Sequence, residues 1–280
     1  MSDRHRAIIP GSRYPGKWQG PRHAGTLTRP VPHPPDDSAI RLALWDIDGT
    51  LLHATGRLAV DAYNRALRAT YRLVGEVARI STAGKTDRQI ALETLALHAI
   101  SEDQAQALLE TFGTAYAADL AKSRTELAAQ LEVLPGVQDV LRRLDSLGVR
   151  QSLLTGNLEP VARMKLSCAG LEEFLLPDVG AFGSDHHDRN QLVPIALEKL
   201  RATTGEALDA EQVVVIGDTP LDIACARAGG ARAVAVATGR YTPGDLAPHR
   251  PAALLATLRD TDAAVAAILN LEPKTFDLKS

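Results

Sequence analysis

The chain has 280 residues, a length that suits one large domain together with a small one. A formal net charge of −3 gives no reason to expect nucleic acid or a membrane surface as partner, and no stretch approaches the length of a transmembrane helix. Hydrophobic residues make up 45% of the chain and the only two cysteines are Cys168 and Cys225, so we expect a packed core, buried thiols and a cytoplasmic location.

Residues 1–38 differ in composition from the rest of the chain. They combine closely spaced prolines with glycines and arginines, and they show no apolar periodicity. Such a segment buries too little surface to fold, so we predict a disordered tail without a catalytic role. A composition rich in arginine and poor in acids is also typical of transit peptides, but the prolines oppose the amphipathic helix that these need.

Two aspartates follow the first predicted strand. Ile40–Trp45 is short and mostly apolar, as buried parallel strands are, and Gly49 permits a sharp turn after it. Ligands of open α/β sheets bind at this carboxyl end of the strands. Asp46 can act there as a nucleophile or a metal ligand, and Asp48 can carry a proton beside it. A solvated turn is the competing interpretation of these residues.

Residues 57–131 read as a helical insertion. In Leu58–Tyr71 apolar residues recur at three- and four-residue spacing, which is typical of one buried helix face. The positions on that predicted face are Val60, Tyr63, Leu67 and Tyr71. Capping boxes that begin at Thr86 and Ser101 predict the starts of two further helices, the second of which carries Leu108, Phe112 and Tyr116. We therefore predict a small helical bundle.

Strands and helices alternate in residues 132–272. The predicted strands are Val149–Leu154, Asp178–Phe182, Val213–Ile216, Ala233–Ala237 and a short one after Ala252. The predicted helices are Pro135–Leu147, one from Pro160, Asn190–Arg201, one ending at Ala228, and a last one capped by Asp260 or Thr261. Such alternation indicates an α/β fold with a parallel sheet. Its core would comprise residues 39–56 and 132–272, with 273–280 as a C-terminal tail.

Polar side chains follow two more of the predicted strands. Thr155, Gly156 and Asn157 offer a hydroxyl and backbone N–H groups of the kind that hold a phosphoryl oxygen. Asp218 and Asp222 follow the Val-Val-Val-Ile strand. Because carboxylates gathered at one sheet edge repel each other, we expect a cation between them, and oxygen ligands favour Mg²⁺.

These segments resemble the signature motifs of the haloacid dehalogenase superfamily, in the same order. The motifs are Asp-Ile-Asp-Gly-Thr from residue 46, Leu-Thr-Gly-Asn from 154 and Gly-Asp-Thr-Pro-Leu-Asp from 217. The resemblance extends from about Ile40 to Leu269, and the helical insertion is similar to the superfamily's helical cap. Phosphoglycolate phosphatase-like and β-phosphoglucomutase-like members are the most similar. The resemblance thus implies a Rossmann-like core with an inserted cap.

The resemblance also implies a role for each acidic residue. Asp46 would take up the phosphoryl group as an aspartyl phosphate. Asp48 would protonate the leaving alcohol and then deprotonate the attacking water. Mg²⁺ would be held by Asp46, the backbone carbonyl of Asp48 and Asp218, with Asp222 in or near the layer of residues that surrounds these ligands. These roles agree with what phosphoryl transfer needs, namely positioning and neutralisation of charge.

The chain departs from the superfamily pattern at its third motif. A lysine is usual at the start of the helix before the last acidic motif, but residues 183–190 contain none. Arg189 lies at the matching end of the predicted helix and can bind phosphate through two N–H groups, so we predict that it replaces the lysine. A basic residue from elsewhere in the chain is the alternative. We place Lys199 on the outer surface, and His186 and His187 in a loop without metal.

Lys85 and Arg88 stand at the start of a cap helix, where an anion is favoured. A solvated basic turn is an equally good interpretation. In phosphonatase relatives this region holds a lysine that forms a Schiff base, which requires a depressed pKa. We expect Asp87 to keep Lys85 charged, so that Lys85 would bind substrate as a cation.

The function expected from the resemblance is Mg²⁺-dependent hydrolysis of a small phosphorylated metabolite, similar to phosphoglycolate. A phosphomutase, a phosphonatase and a non-catalytic protein that binds a phosphorylated metabolite are the alternatives. Haloacid dehalogenation would not need Asp48 as an acid and base. Turnover of p-nitrophenyl phosphate with and without Mg²⁺ separates an enzyme from a binding protein.

Overall fold

The computed structural model describes residues 39–271. The predicted tails, residues 1–38 and 273–280, lie outside this range. Among the described residues the strands are β1 (Leu42–Trp45), β2 (Leu52–Ala54), β3 (Leu131–Val133), β4 (Arg150–Thr155), β5 (Ala181–Phe182), β6 (Val213–Gly217), β7 (Arg232–Val236) and β8 (Ala253–Leu255). The helices are α1 (Leu58–Tyr71), α2 (Asp87–Leu97), α3 (Glu102–Ala107), α4 (Leu109–Ala121), α5 (Arg124–Ala129), α6 (Val137–Ser146), α7 (Glu159–Ala169), α8 (Leu192–Thr204), α9 (Pro220–Ala228), α10 (Pro243–Leu246) and α11 (Thr261–Leu269).

Six of the strands form one parallel sheet in the order β5-β4-β1-β6-β7-β8. Its two faces are buried under separate clusters of apolar side chains. Ala43 and Trp45 of β1 pack with α6, α7 and α11, whereas Leu42 and Leu44 pack with α8 and α9. Burial on both faces explains why these strands are continuous apolar runs. The α/β class predicted from the sequence is confirmed.

The register of the sheet brings the functional loops together. Trp45 is paired with Leu153 on one side and with Ile216 on the other. The backbone N–H of Asp46 donates to the carbonyl oxygen of Ile216 over 2.9 Å, so the ends of β1 and β6 stay joined where the acidic segments begin. Because β1, β4 and β6 end at the same level, their loops share one edge of the sheet.

Helices α1 to α5 pack around an apolar core of their own. Tyr63, Phe112 and Tyr116 form three ring contacts with centroid distances of 4.9 to 6.2 Å. Leu158 and Val161, which belong to the start of α7, complete this cluster from the side of the sheet. The insertion therefore rests on the same helix that follows the Thr-Gly-Asn segment. We call α1 to α5, with the loop of residues 72–86, the cap.

A two-stranded antiparallel ribbon, β2 with β3, joins the cap to the sheet. Leu52 is paired with Val133, and Ala54 with Leu131. The sequence analysis predicted neither strand, because three residues are too few for a visible alternation. The division of the chain at residues 57 and 131 stays a prediction.

Several elements differ from their predicted extents. Val60 is 49% exposed and lies off the buried face of α1. The helix that begins at Ser101 ends at Ala107, and α4 continues after a break at Leu108. The Asp178–Phe182 strand shortens to two residues after a 3₁₀ turn, and another 3₁₀ turn, Arg189–Gln191, precedes α8. In the described range no helix is long and apolar enough to cross a membrane.

Candidate active site

Three carboxylates converge at the carboxyl edge of the sheet. Asp46 follows β1, Asp218 follows β6, and Asp222 lies in the first turn of α9. Oxygen atoms of the three lie within 4.8 Å of one another, and all three residues are buried. Within residues 39–271 this is the only cluster of three or more side chains with the composition and spacing of a metal site.

The carboxylate cluster carries more negative charge than its surroundings neutralise. Burial raises the pKa of Asp46, and although the Arg189 guanidinium lowers it, Asp222 and Asp48 raise it again. Burial also raises the pKa of Asp218, and the charges of Asp46 and Asp222 add to that effect. A divalent cation would relieve this repulsion, and a set of carboxylate oxygens fits Mg²⁺. The carboxylates of Asp46, Asp218 and Asp222 could therefore hold a divalent cation, and the part of the Asp48 carbonyl in such a site stays a prediction.

Glycines allow the backbone to close around Asp218. Gly49 has φ +88°, in the left-handed region that favours glycine, and its α-carbon lies directly against the Asp218 carboxylate. The backbone at Gly239 approaches the same carboxylate, so a Cβ at either glycine would collide with it. The hydroxyl of Thr50 donates to Oδ1 of Asp218 over 3.4 Å. The turn after β1 thus fixes the position of a carboxylate that follows β6.

Arg189 lies at the centre of the carboxylate cluster. Its side chain is only 5% exposed, and Nη2 donates to Oδ1 of Asp46 over 3.1 Å and to Oδ1 of Asp222. Nη1 donates to the backbone carbonyl oxygen of Gly84 in the cap over 3.0 Å. The Nε–H group is buried without an acceptor among the described residues. The structure thus places Arg189 beside Asp46, and its predicted role toward phosphate, in place of the lysine, stays a prediction.

Asp222 is the third residue of α9, and Thr219, which precedes that helix, fixes its carboxylate. Its Oδ2 accepts from the backbone N–H of Thr219 over 2.9 Å and from the Thr219 hydroxyl over 2.7 Å. Its Oδ1 is taken by Arg189. Because both oxygens already have partners, Asp222 suits a place next to the metal ligands better than a place among them. The place of Asp222 relative to a bound metal stays a prediction.

Asp48 belongs to a second cluster beside the first. Its Oδ1 and Oδ2 accept from Nζ of Lys165 over 2.7 and 2.6 Å. Nδ2 of Asn157 donates to Oδ2 of Asp48 and to Oγ1 of Thr155, over 2.8 and 2.9 Å. Nζ of Lys165 also donates to Oδ1 of Asn157 over 2.8 Å. We call these four residues the second cluster, and Asp46, Asp218, Asp222 and Arg189 the first cluster.

Lys165 is a site residue that the sequence analysis missed. It lies on the buried face of α7 at helical spacing from Val161, Ala162 and Leu166. A lysine on an apolar helix face needs a partner for its charge, since an unpaired buried ammonium is costly. That mismatch was the signal in the sequence, but it does not say which carboxylate lies opposite.

The electrostatic state of Asp48 differs from that of Asp46. Partial removal of the Asp48 carboxyl from water raises its pKa, but the charge and hydrogen bonds of Lys165, together with the Asn157 amide, outweigh this and leave that pKa lowered. The Asp48 carboxyl is therefore ionised in the resting arrangement. A carboxylate in this state is able to accept a proton from water.

The cap touches the sheet edge through the loop before α2. The backbone N–H of Asp87 donates to the carbonyl oxygen of Gly156 over 2.7 Å, and the Asp87 carboxylate accepts from the backbone N–H of Leu158 over 2.9 Å. The Thr86 hydroxyl donates to the carbonyl oxygen of His187 over 2.6 Å. Gly156 lacks a side chain where the Lys85 carbonyl oxygen approaches, and a Cβ there would collide with it. The cap loop therefore packs directly on the Thr-Gly-Asn segment.

The partners of the two cap cations correct the sequence-based expectation. Nζ of Lys85 pairs with Glu93, which lies eight residues later in α2, and not with Asp87. Asp87 is instead a buried carboxyl whose pKa is raised to about 6, mainly by burial. Arg88 pairs with Glu110 of α4. Lys85 has a carboxylate partner, as the analysis expected, but a different one.

A cavity of about 920 Å³ connects the sheet edge to the cap. Both aspartates of the first motif line it, and so do Asp218 and six other site residues: Lys85, Thr155, Gly156, Asn157, Lys165 and Arg189. The cap contributes Tyr63, Thr94 and Tyr116 to the opposite wall. Of the predicted site residues, only Asp222 lies behind this surface.

Two other candidates lie away from the reacting groups. The rings of His186 and His187 stack on each other with centroids 4.7 Å apart, and they belong to no metal cluster found in the described range. Nζ of Lys199 donates to Asp185 over 2.7 Å and to the carbonyl oxygen of Gly180 over 2.9 Å. Lys199 thus stabilises the loop before α8 and does not reach Asp46.

Comparison with known families agrees with this arrangement. The model of the haloacid dehalogenase-like hydrolases matches residues 43–227, a range that contains every site residue described above. The chain belongs to the haloacid dehalogenase-like hydrolases. The family resemblance stated from the sequence is therefore confirmed.

This family member is similar to a curated enzyme from Rhodospirillum rubrum named phosphoglycolate phosphatase. The two are 30% identical over 210 residues, which cover 71% of this chain and 80% of the relative. Phosphoglycolate phosphatase 1 of Pseudomonas aeruginosa is 27% identical over 229 residues, covering 79% of this chain and 78% of the relative. These relatives make the chain an enzyme of the phosphatase type, as predicted.

Among solved structures, this hydrolase is similar to CbbY from Rhodobacter sphaeroides in complex with phosphate. The TM-score is 0.57 at 19% identity, with 79% of this chain and 96% of that chain covered. At this identity the likeness concerns the fold. It supports the parallel sheet with flanking helices described above.

Proposed function

We propose that the enzyme is a Mg²⁺-dependent phosphatase that hydrolyses a small phosphorylated metabolite through a phosphorylated Asp46. The observation that carries the proposal is the environment of Asp46. Its buried carboxylate lies between the Arg189 guanidinium and the carboxylates of Asp218 and Asp222, at the floor of a cavity. A nucleophile placed beside a fixed cation and a metal-binding cluster is what phosphoryl transfer requires.

In the first half-reaction an oxygen of Asp46 attacks the phosphorus atom, and the bond from phosphorus to the leaving alkoxide breaks. Asp48, which must first take up a proton from solvent as the anionic substrate binds beside it, delivers that proton to the alkoxide. In the second half-reaction Asp48 takes a proton from water while the water oxygen attacks phosphorus and frees Asp46. The acid of one step is the base of the next, so a single side chain suffices.

The phosphoryl oxygens would be held by the Thr155 hydroxyl, the backbone at Gly156, the Asn157 segment and Arg189. The carboxylates of Asp46 and Asp218 and the backbone carbonyl of Asp48 would hold Mg²⁺, with Asp222 adjacent. The ion would supply charge neutralisation at the phosphoryl oxygens. Donors fixed before the reaction stabilise developing charge at little cost in reorganisation.

For the substrate, we propose a metabolite similar to phosphoglycolate. The names of the relatives support this choice, and Lys85 offers a cation at the cavity wall for a second anionic group. Lys85 forms an ion pair with Glu93, so its side chain is placed for electrostatic contact with an anion.

The test is phosphate release from a panel of phosphorylated metabolites that includes phosphoglycolate, with EDTA and with Mg²⁺. We expect turnover only with the metal, and loss of it in Asp46→Asn. The matched control is Asp139→Asn, an exposed aspartate of α6 that pairs only with Arg142. Turnover in EDTA, or an active Asp46→Asn, would remove the proposal. Borohydride trapping of Lys85 with phosphonoacetaldehyde would instead favour cleavage of a carbon–phosphorus bond.

A further inference from the structure

Lys165 is buried beneath a carboxylate that is itself open to the cavity. Its side chain is 7% exposed, whereas that of Asp48 is 45% exposed. A buried ion pair adds little to stability compared with well-packed apolar side chains of similar volume. The face of α7 that carries Lys165 is otherwise apolar, so a leucine or methionine would pack there. Stability is therefore a weak explanation for a lysine at this position.

All hydrogen-bond donors of Lys165 are in use. An ammonium group has three N–H donors, and Nζ has three acceptors in Oδ1 and Oδ2 of Asp48 and Oδ1 of Asn157. No donor is left over for a phosphoryl oxygen. Lys165 therefore acts on the reaction through its two partners and not by binding the substrate.

The same contacts decide the orientation of the Asn157 amide. Because an ammonium can only donate, the atom of Asn157 that it contacts must be the carbonyl oxygen. The amide nitrogen then faces Asp48 and Thr155, to which it donates. Lys165 and Asp48 thus hold the amide from its two ends, and without Lys165 the amide oxygen would lose the donor that holds it.

The amide orientation in turn sets the direction of the Thr155 hydroxyl. Oγ1 of Thr155 accepts from Nδ2 of Asn157 over 2.9 Å and from the backbone N–H of Asn157 over 3.3 Å. A hydroxyl has two acceptor lone pairs and one proton, so the proton alone remains for a further partner. Thr155 lines the cavity, and no acceptor for this proton is found among residues 39–271. The proton is thus free for a phosphoryl oxygen.

We propose that Lys165 is a positioning residue of the phosphatase reaction, which through Asn157 and Asp48 aligns the phosphate-binding hydroxyl of Thr155 and the proton-carrying carboxylate together. This rests on the proposed function. Lys165, on α7, links the loop after β1 with the loop after β4. With an apolar side chain at residue 165 both loops would stay folded, but the Thr155 hydroxyl and the Asp48 carboxylate would lose their fixed orientation.

A double-mutant cycle tests the proposal with p-nitrophenyl phosphate and saturating Mg²⁺. Lys165→Met keeps the length of the side chain and removes every donor. We expect it to lower kcat by on the order of 10²-fold in the wild-type background. In an Asp48→Asn background it should cost only about threefold, because the carboxylate on which it acts is already gone.

Lys199→Met is the matched control. Lys199 also forms an ion pair from a helix, with Asp185, but outside the site. A loss of folded enzyme lowers the rate by the same factor in both backgrounds. The loss of rate caused by Lys199→Met should therefore multiply with the loss caused by Asp48→Asn. If the losses of kcat caused by Lys165→Met and Asp48→Asn also multiplied, or if Lys165→Met left kcat unchanged, Lys165 would be a structural residue and the inference would be wrong.

A second measurement covers the case in which Lys165→Met does not fold. Asn157→Leu removes the amide and keeps the lysine, and Thr155→Val removes the hydroxyl at nearly constant shape. Each should weaken inhibition by inorganic phosphate about tenfold, and the double variant should be no weaker than either one. Independent, multiplying effects would contradict the chain of contacts. A wild-type enzyme without phosphatase activity would remove the proposed function and this inference together.

Discussion

Asp46 and Asp48 are two residues apart and both face a buried cation, yet the two clusters around them differ in charge. Asp46 shares Arg189 with Asp222 and lies close to Asp218 as well, and its pKa is raised. Asp48 has Lys165 to itself, and its pKa is lowered. One cluster therefore lacks positive charge, whereas the other is balanced by its own residues.

This comparison shows how a short motif can hold two carboxylates in different roles. In the proposed reaction the nucleophile, Asp46, lies where a metal ion would complete the charge balance, and the proton carrier, Asp48, lies where Lys165 already balances the charge. The difference comes from elements distant in sequence, since the cations follow β4 and β5 and not β1. The following variants break one cluster at a time.

The largest effect is expected for Asp46→Asn. An amide cannot form an acyl phosphate, so phosphate release should fall by on the order of 10⁴-fold or more while the circular dichroism spectrum stays unchanged. Asp139→Asn should retain full activity. Wild-type turnover in Asp46→Asn would refute the nucleophile assignment.

Asp48→Asn breaks the balanced cluster and should have the next largest effect. Loss of proton transfer should lower kcat by on the order of 10² to 10⁴-fold, and the loss should be greater for an alkyl phosphate than for p-nitrophenyl phosphate. The comparison of the two leaving groups is the measurement. An equal loss on both would mean that Asp48 does not protonate the leaving group.

Removal of the metal should expose the charge imbalance of the first cluster. Folding raises the pKa of Asp218 from 3.8 to about 8, so its contribution to stability is full at low pH and is lost as the pH rises through this range. The melting temperature of the chelated enzyme should therefore fall between about pH 4 and 8, and saturating Mg²⁺ should restore it.

Asp218→Asn provides the control for this decrease of the melting temperature with pH. Asp87, whose pKa is raised to about 6, contributes to the same trend below neutral pH, so the difference between the wild type and Asp218→Asn isolates the carboxylate cluster. The variant should show a smaller decrease without metal and the weakest response to Mg²⁺. A wild-type melting temperature that rose with pH in EDTA would contradict the assignment of charge.

Lys85→Ala should have a smaller effect, because Lys85 belongs to neither cluster. We expect KM for an anionic substrate to rise by roughly tenfold with little change in kcat, as for loss of uniform binding. Lys122→Ala, an exposed lysine of the cap, should change neither constant. A fall in kcat alone would place Lys85 in the chemical step.

The smallest effect is expected for deletion of the residues before Pro35. Every site residue lies between Asp46 and Asp222, and the deleted segment has no apolar pattern with which to dock. The value of kcat for the truncated enzyme should equal that of the full chain. A large loss would mean that the segment reaches the site.

Much of the sheet and of the first cluster could be predicted from the sequence. Strands such as Val213–Gly217 are continuous apolar runs, and their acidic residues follow within five positions, so topology alone gathers them. The ribbon of β2 and β3 could not be predicted, because strands of three residues show no clear period. The break at Leu108 within the predicted α3–α4 helix has no sequence signal that outweighs the apolar spacing.

The second cluster was predictable only in part. Asp48, Thr155 and Asn157 stand in recognisable motifs, but Lys165 is one lysine among many until the packing of α7 places it under Asp48. For Lys85 the local sequence suggested Asp87 as partner, whereas the start of α2 turns the Asp87 carboxylate toward Leu158 and leaves Glu93 for Lys85. Contacts between elements decide such pairings.

The most direct test of the account is the detection of a phosphorylated Asp46. Asp48→Asn should slow the attack of water more than the formation of the acyl phosphate from p-nitrophenyl phosphate, so the intermediate should accumulate in that variant. After an acid quench, peptide mass spectrometry should find phosphate on the peptide that contains Asp46, and none in the Asp46→Asn, Asp48→Asn double variant. Turnover without phosphate on Asp46, or with phosphate on another side chain, would contradict the central claim.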